Sequence, residues 1–141
     1  MDLSDITDIA TSGLRAQRTR LTVTASNIAN AQTTRTAEGG PYRRRDPVFE
    51  AARVGSPFAS ALERKLRSVN VSRIQQDDRP PITRYLPHHP DAGEDGFVEF
   101  PNVNLVEEQA NLVSSSRSFQ ANLLVMQKVR GMAEALMRVG Q

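Results

Sequence analysis

Apolar residues recur at every seventh position in two long stretches, one in each terminal part of the chain. In the first stretch, Leu14, Leu21 and Ile28 form one row. A second row of smaller or more polar residues accompanies it: Leu3, Ala10, Gln17, Thr24 and Ala31. A seven-residue repeat predicts a helix whose apolar stripe packs along another helix. We therefore predict a first helix over about residues 3–32.

The second stretch has clearer start and end signals. Asn104 is a favourable N-cap residue, Glu107 follows three positions later as in a capping box, and Gly140 suits a helix end. One row of the stretch repeats every seventh residue, and other apolar residues flank it: Leu105, Leu112, Phe119, Met126 and Ala133, with Leu123, Val129, Leu136 and Met137. This pattern predicts a helix over about residues 104–139, roughly 55 Å long at 1.5 Å per residue.

The segment between these helices is irregular and rich in proline. Gly39-Gly40-Pro41 breaks the first helix, and further prolines follow as far as residue 101. Alternating apolar and polar residues predict short strands at 41–50, 69–74 and 82–86. Ser56-Pro57 predicts the start of a short helix, and residues 88–96 are rich in turn formers, which indicates a loop.

The order of these elements predicts a mainly α protein. Its long N- and C-terminal helices form an antiparallel coiled-coil-like pair, with a small irregular β-containing insert. We expect three segments, residues 1–34, 35–103 and 104–141, that together make one assembly domain. Because each helix covers only one side of the other, the wide apolar stripes must also contact other molecules. The residues expected at this assembly interface are Leu14, Leu21, Ile28, Leu112, Phe119, Leu123, Met126 and Val129.

Composition favours self-assembly. The 141 residues include 38% hydrophobic residues, no tryptophan and no cysteine. The core is therefore thin, and neither a disulfide nor a thiolate metal site can reinforce it. The formal net charge is only +2. The first residues lack the basic and apolar regions of a cleaved secretory signal, and no apolar run is long enough to insert into a membrane.

Two clusters of polar residues are candidate binding sites. His88, His89 and Asp91 lie in the predicted loop, but adjacent histidines rarely point the same way and no third histidine exists to complete a metal site. The basic run 43–45 is followed at once by Asp46, which makes a weak nucleic-acid patch. We expect no metal, no cofactor and no nucleic acid, and we expect these arginines to be solvated or paired with an acidic neighbour in an assembly.

Two pairs of adjacent carboxylates, Asp77-Asp78 and Glu107-Glu108, have no accompanying nucleophile, base and orienting group. We therefore expect no enzymatic activity. The sequence near the end of the first helix offers Asn27, Asn30, Thr33 and Thr34, whose side chains bond readily to nearby backbone. They end the helix, form a polar joint to the insert or a neighbour, or do both.

Several motifs resemble bacterial flagellar rod, hook and hook-associated proteins. They are residues 12–17 (SGLRAQ), 25–34 (ASNIANAQTT) and 116–122 (SRSFQAN). Residues 39–44 (GGPYRR) and 96–104 (GFVEFPNVN) are similar to the proximal-rod branch of that family, the FlgC type. The likeness covers nearly the whole chain and is weakest between about residues 50 and 68.

The resemblance implies a structural subunit of the flagellar basal-body proximal rod, which polymerises through its terminal helices and transmits motor torque. Family members leave the cell unfolded through the flagellar type III apparatus, without a cleaved signal, and assemble in the periplasm. The implied partners are further copies, FlgB-type and FlgF-type rod proteins, and the membrane-ring and export-gate proteins at the rod base, in a helical hetero-oligomer. Asn27, Asn30, Thr33 and Asn122 join the expected interface through these motifs.

Two alternatives stay open at this point. One is a neighbouring rod component of the same family, and the other is a soluble helical adaptor unrelated to motility. If the rod interpretation holds, we expect the terminal helices to become fully ordered only in the assembled rod, because ordering on assembly keeps free subunits from polymerising early.

Overall fold

The computed structural model describes residues 3–53 and 66–139. Two long helices flank four strands: α1 (Leu3–Ala29), β1 (Arg45–Arg53), β2 (Arg67–Gln76), β3 (Ile82–Tyr85), β4 (Phe97–Phe100) and α2 (Leu105–Val139). The prediction of two long helices around a small β-containing insert is confirmed. Over the described residues, neither helix combines the length and the apolar character needed to cross a bilayer.

The two helices contact each other along much of their length. Near the end of α1, Asn27 Nδ2 lies 3.1 Å from a carboxylate oxygen of Glu108 in the first turn of α2. Towards the start of α1, Thr11 Oγ1 lies 3.8 Å from Met126 Sδ. The contacts therefore run along the two helices in opposite order. A regular coiled-coil repeat along this contact stays a prediction.

Small residues, rather than the leucine row, lie deepest in α1. Ala10, Ala16, Val23 and Thr24 are buried, whereas the predicted residues Leu14, Leu21 and Ile28 are only half-buried. The physical reason is that α1 is covered on two sides, by α2 and by the β1–β2 hairpin. Small side chains let both neighbours approach the helix backbone closely, and the larger leucines lie beside these contacts.

The first sheet is a long antiparallel hairpin of β1 and β2, with pairs running from Arg45↔Gln76 to Arg53↔Arg67 and a bulge at Val48/Phe49. It lies along α1: the backbone N–H of Val69 donates to Ser12 Oγ at 3.1 Å. The strand predicted at 41–50 begins only at Arg45. The reason is a turn at Gly39 and Gly40, both with positive φ, that holds the preceding residues.

The second sheet pairs β3 with β4, from Ile82↔Phe100 to Tyr85↔Phe97. Strand β3 was predicted, and the loop predicted at 88–96 consists of turns and irregular chain. Strand β4 was missed, because its four residues lie between Gly96 and Pro101 and are too few to show an alternating pattern. The short helix predicted from Ser56 lies outside the described residues.

Both helix ends at the insert follow local side-chain chemistry. Helix α1 ends at Ala29, three residues before the predicted end, and the Asn30 side-chain amide donates back to the Ser26 carbonyl at 2.9 Å. At the start of α2, Asn104 Oδ1 accepts from the backbone N–H of Val106 at 3.1 Å, so the predicted N-cap is confirmed. Gly140, which was predicted to end α2, lies outside the described part of the chain.

Candidate assembly interface

A buried polar cluster joins the end of α1, the start of β1 and the first turn of α2. We call it the polar junction, and it consists of Asn27, Tyr42, Arg44, Arg45 and Glu108. Asn27 is only 1% exposed. Its Nδ2 donates to the Arg45 carbonyl at 2.8 Å and to Glu108 Oε2 at 3.1 Å. Its Oδ1 accepts from Tyr42 OH and from the Arg45 backbone N–H, both at 2.9 Å. These four bonds use the full capacity of an asparagine amide.

The charged half of the polar junction is an ion pair between Arg44 and Glu108. Glu108 is 1% exposed, and its Oε1 accepts from Arg44 Nε at 2.7 Å. Burial acts to lower the pKa of Arg44, but the hydrogen bond and the charge of Glu108 outweigh it and raise that pKa above its ordinary value. A buried carboxylate is tolerable here because both of its oxygens have donors. The expectation that Arg44 is solvated or paired with another subunit was wrong, since its acid lies in the same chain.

Of the other polar residues expected at the joint, Asn30 and Thr33 bond to each other, whereas Thr34 bonds to a distant residue of the insert. Thr33 Oγ1 donates to Asn30 Oδ1 at 3.2 Å, and Thr34 Oγ1 donates to Asp91 Oδ2 at 2.7 Å. The bond from Thr34 holds the loop after α1 against the turns before β4. The predicted place of these residues, with Asn27, in a contact between subunits stays a prediction.

The side of α2 away from α1 carries large apolar residues that no part of the described chain covers. With 3.6 residues per turn, Val106, Val113 and Leu124 lie on one line opposite the buried Glu108 and Ser115. Their exposed fractions are 75%, 50% and 59%. We call this line the outer stripe. Other large exposed apolar residues flank it on the helix: Leu105, Leu123, Val125 and Met132.

Most of the interface residues predicted in α2 lie on its inner side, towards α1. Val129 is buried, and four others are half-buried: Leu112, Phe119, Asn122 and Met126. Leu123 is 42% exposed and lies between the inner and outer sides. The outer stripe was missed because its seventh-residue row is interrupted by polar residues such as Gln120. A count of apolar residues outside the strongest heptad row would have found it.

The candidate chemical sites have structural partners instead. The backbone N–H of Asp91 donates to His89 Nδ1 at 3.1 Å, and in the described segments no three His, Cys, Asp or Glu side chains are grouped to hold a metal ion. Arg79 bonds the Asp77 carboxylate through its side chain and backbone, which lowers the pKa of Asp77 to about 2. Glu108 belongs to the polar junction.

Comparison with known protein families gives matches at both helices. A family described as "Flagella basal body rod protein" matches residues 8–35. A second, described as "Flagellar basal body rod FlgEFG protein C-terminal", matches residues 94–139. The first match contains Asn27, and the second contains Glu108 and the outer stripe.

Individual relatives match over the whole chain. A protein named "Flagellar basal-body rod protein FlgC" from Borreliella burgdorferi is 38% identical, covering 100% of this chain and 99% of its own length. The protein of the same name from Salmonella typhimurium is 38% identical over 100% of both chains. That from Bacillus subtilis is 36% identical over 95% of both chains.

Proposed function

This chain belongs to the FlgC-type flagellar basal-body rod proteins and is a structural subunit of the rod, and from that premise we propose that it polymerises through its terminal helices, with the apolar outer stripe of α2 as a contact surface. The family is structural and not enzymatic, and it assembles with other rod components of the basal body. Full-length similarity to proteins of this name argues against both alternatives, a neighbouring rod component and an unrelated helical adaptor.

The outer stripe is the observation that supports this mode of assembly. Val106, Val113 and Leu124 are at least half exposed on a helix that already has a partner on its other side. Burying one such side chain contributes roughly 1.5–3 kcal/mol, so three of them on each subunit make a substantial contact. Long seams of this kind also suit torque transmission in the proximal rod, because shear is shared by many contacts along the helix.

The polar junction supports the proposal that residues 1–34, 35–103 and 104–141 act as one assembly domain. Asn27 comes from the first segment, Tyr42 and Arg44 from the second, and Glu108 from the third. A closed network of hydrogen bonds fixes the direction in which the insert leaves the helix pair. Subunits in which the insert leaves the helix pair in the same direction can repeat along a helical rod.

We further propose that the subunit is exported by the flagellar type III apparatus, without a cleaved signal, and assembles in the periplasm with FlgB-type and FlgF-type proteins and with the ring and export-gate proteins at the rod base. The absence of cysteine supports export in an unfolded state, since no disulfide has to be opened. The terminal helices become fully ordered on assembly. Strong hydrogen-exchange protection at both far ends of the helices in the free subunit would contradict that ordering.

The test of the assembly mode compares two substitutions at one position of the outer stripe. Leu124→Asp puts a carboxylate where apolar packing is proposed, and Leu124→Met keeps an apolar side chain of similar volume. In cells whose own copy is deleted, we expect Leu124→Met to restore basal bodies and swimming. Leu124→Asp is exported but gives few complete rods. Normal rod numbers with Leu124→Asp would show that the outer stripe is not a subunit contact.

A further inference from the structure

The β3–β4 ribbon presents two aromatic side chains to solvent on its outer face. Val98 is buried on the inner face, so Tyr85 and Phe97, which pair across the strands, lie on the other face. They are 64% and 46% exposed, and their ring centres lie 5.3 Å apart, edge to face. Aromatic side chains bury a large area each, so two of them left in solvent side by side indicate a contact surface. We call this pair the aromatic platform.

The aromatic platform is held in place by the turn beside it. Gly96 has a φ of +75°, and a Cβ at this position would lie 2.8 Å from a Tyr85 ring carbon. Only glycine therefore lets the ring lie over the turn. The backbone N–H of Leu86 donates to the Gly96 carbonyl, and that of Gly93 donates to the Phe97 carbonyl, both at 2.9 Å. Aromatic residues that are already held in one position lose little entropy on binding, which is typical of interface anchors.

Carboxylates accompany the aromatic platform. Glu99 is exposed on the same face as Phe97, two residues along the strand. Asp95, in the turn before β4, accepts a hydrogen bond from the Phe97 backbone N–H at 3.3 Å. Arg84, the basic residue of the ribbon, lies on the inner face, where its guanidinium carbon is 4.9 Å from the centre of the Phe100 ring. The outer face therefore combines aromatic rings with negative charge.

An open apolar groove lies between the first turns of α1 and the second half of α2. It has a volume of about 550 Å³, and its lining includes residues of both helices: Ser4, Thr7, Leu123, Met126, Val129 and Arg130. Val129 is buried, whereas Leu123 and the basic residue Arg130 are exposed. We call this the end groove. It offers an aromatic side chain an apolar surface with a positive charge beside it.

The aromatic platform and the end groove cannot meet within one copy. Thr34 Oγ1 donates to Asp91 at 2.7 Å, which holds the β3–β4 unit beyond the C-terminal end of α1. The end groove begins at Ser4, and roughly 38 Å of helix separates Ser4 from the last residue of α1, Ala29. The two surfaces are nevertheless complementary, because aromatic side chains anchor well in apolar pockets and a carboxylate pairs with a guanidinium group. Two copies can therefore bring together what one copy holds apart.

We propose that the aromatic platform of one copy inserts into the end groove of the next copy, with Glu99 paired to Arg130, an inference that rests on the proposed polymerisation. The contact joins two different surfaces at opposite ends of the helix pair. Repeated contacts of that kind build open helical filaments when they do not close into a ring. This contact joins copies end to end, in addition to the apolar contact proposed for the outer stripe.

Cysteine cross-linking tests this contact directly, because the chain has no cysteine of its own. Chains carrying Thr83→Cys, on the platform face opposite Glu99, and differently tagged chains carrying Gln127→Cys, in the end groove, are produced together in cells whose own copy is deleted. After mild oxidation of isolated basal bodies, we expect a disulfide between the two kinds of chain. The control replaces Gln127→Cys by Val125→Cys, at a position exposed at the same level on the opposite side of α2. A yield no higher than in this control overturns the proposal.

Charge reversal provides the second readout. Arg130→Glu and Glu99→Arg, each made separately in both cysteine chains, are expected to lower the cross-link yield about tenfold, because each places like charges together. The two reversals combined restore the opposite charges and are expected to restore the yield. If the single reversals leave the yield unchanged, the contact is not the proposed one.

A second cysteine pair reports on the same contact if the first variants do not assemble. It combines Glu94→Cys, exposed in the turn beside the aromatic platform, with Ser4→Cys at the start of the end groove. A disulfide between these chains supports the proposal, and assembled rods without it contradict the proposal. Intact rods that lack the cross-links refute this contact alone, whereas the Leu124 variants test the outer stripe separately.

Discussion

The two sides of α2 differ in an unusual way, because polar residues are buried on one side and large apolar residues are exposed on the other. The side against α1 has Glu108, Ser115 and Asn122 in one seventh-residue row, and the first two are almost completely buried. The side facing away has Val106, Val113 and Leu124, each at least half exposed. Buried polar residues specify a register at some cost in stability, whereas apolar residues provide association energy. The inner side therefore sets how the two helices of one chain pack, and the outer side is the surface that we propose for assembly.

The largest effect on motility is expected from a substitution at the boundary between the inner and outer sides of α2. Leu123 is 42% exposed, so water can partly solvate the new carboxylate of Leu123→Asp in the free chain. In the rod, the same carboxylate loses its water at a cost of several kcal/mol. We expect motility to fall strongly while the secreted amount of the subunit stays the same, as measured by swimming assays and immunoblots of exported protein. Normal swimming would remove Leu123 from the subunit contact, and Leu123→Met is the matched control.

The next largest effect is expected on the stability of the free chain, from a substitution in the polar junction, which includes Glu108 of the inner side. Asn27→Ala removes four hydrogen bonds and leaves donors and acceptors of the polar junction unpaired. We expect a loss of about 3 kcal/mol in the free energy of unfolding, measured by urea unfolding of the purified chain. Asn30→Ala is the control, because Asn30 bonds only within its own helix end, to Ser26 and Thr33. Equal losses in the two variants would mean that the polar junction contributes little to folding.

Two glycines, one in each helix, differ in the space around them, and this difference tests how closely the inner side of α2 lies against α1. A Cβ at Gly13 would lie 2.9 Å from Asn122 Nδ2 on the inner side of α2, whereas a Cβ at Gly131 meets nothing within 4 Å. In an open helical position, alanine is about 1 kcal/mol more favourable than glycine. We expect Gly131→Ala to stabilise the free chain by up to that amount, and Gly13→Ala to gain less because the Asn122 amide must move. Thermal unfolding of both variants measures the difference, and a larger gain at Gly13 would contradict the close helix contact.

The smallest effect on stability is expected at the ion pair of Asp77 and Arg79, which lies outside α2. Asp77 has a pKa of about 2 in the folded chain because Arg79 bonds its carboxylate. An unfolded aspartate takes up a proton near pH 4, so the unfolded chain binds more protons between about pH 4 and pH 2. The stabilisation is therefore complete above pH 4 and is lost as the pH falls towards 2. We expect Asp77→Asn to lower stability by less than about 1 kcal/mol at pH 7, since exposed ion pairs are weak. The difference from the unsubstituted chain, followed by thermal unfolding, should narrow at acidic pH.

Local rules predicted the helices and their ends well. Asn104 caps α2 as expected, and Asn30 ends α1 within three residues of the predicted position. These outcomes depend on residues close in sequence, so the pattern contains the necessary information. The predicted strands were found with shifted boundaries, because the turn at Gly39 and Gly40 decides where β1 begins.

The polar junction could not be predicted in this way. Glu107 and Glu108 are adjacent and chemically alike, but Glu108 is buried against Arg44 whereas Glu107 stays on the surface. The choice depends on how α2 is rotated against α1 and on where the chain after Tyr42 crosses both helices. Tertiary packing sets these quantities, and sequence spacing does not contain them. The outer stripe is different, since a count of the apolar residues outside the strongest heptad row would have found it.

The side chain of Asn27 has a consequence for the order of events during folding. Its amide partner Glu108 lies 81 residues later in the chain. Closing a loop of that length is slow compared with forming a helix, so contacts between distant residues come late. In a chain that emerges with its N-terminus first, Asn27 therefore cannot be buried until residue 108 has emerged. Until then nothing fixes the β1–β2 hairpin and the end of α1 to α2, and the subunit takes its final shape only after the first turn of α2 has arrived.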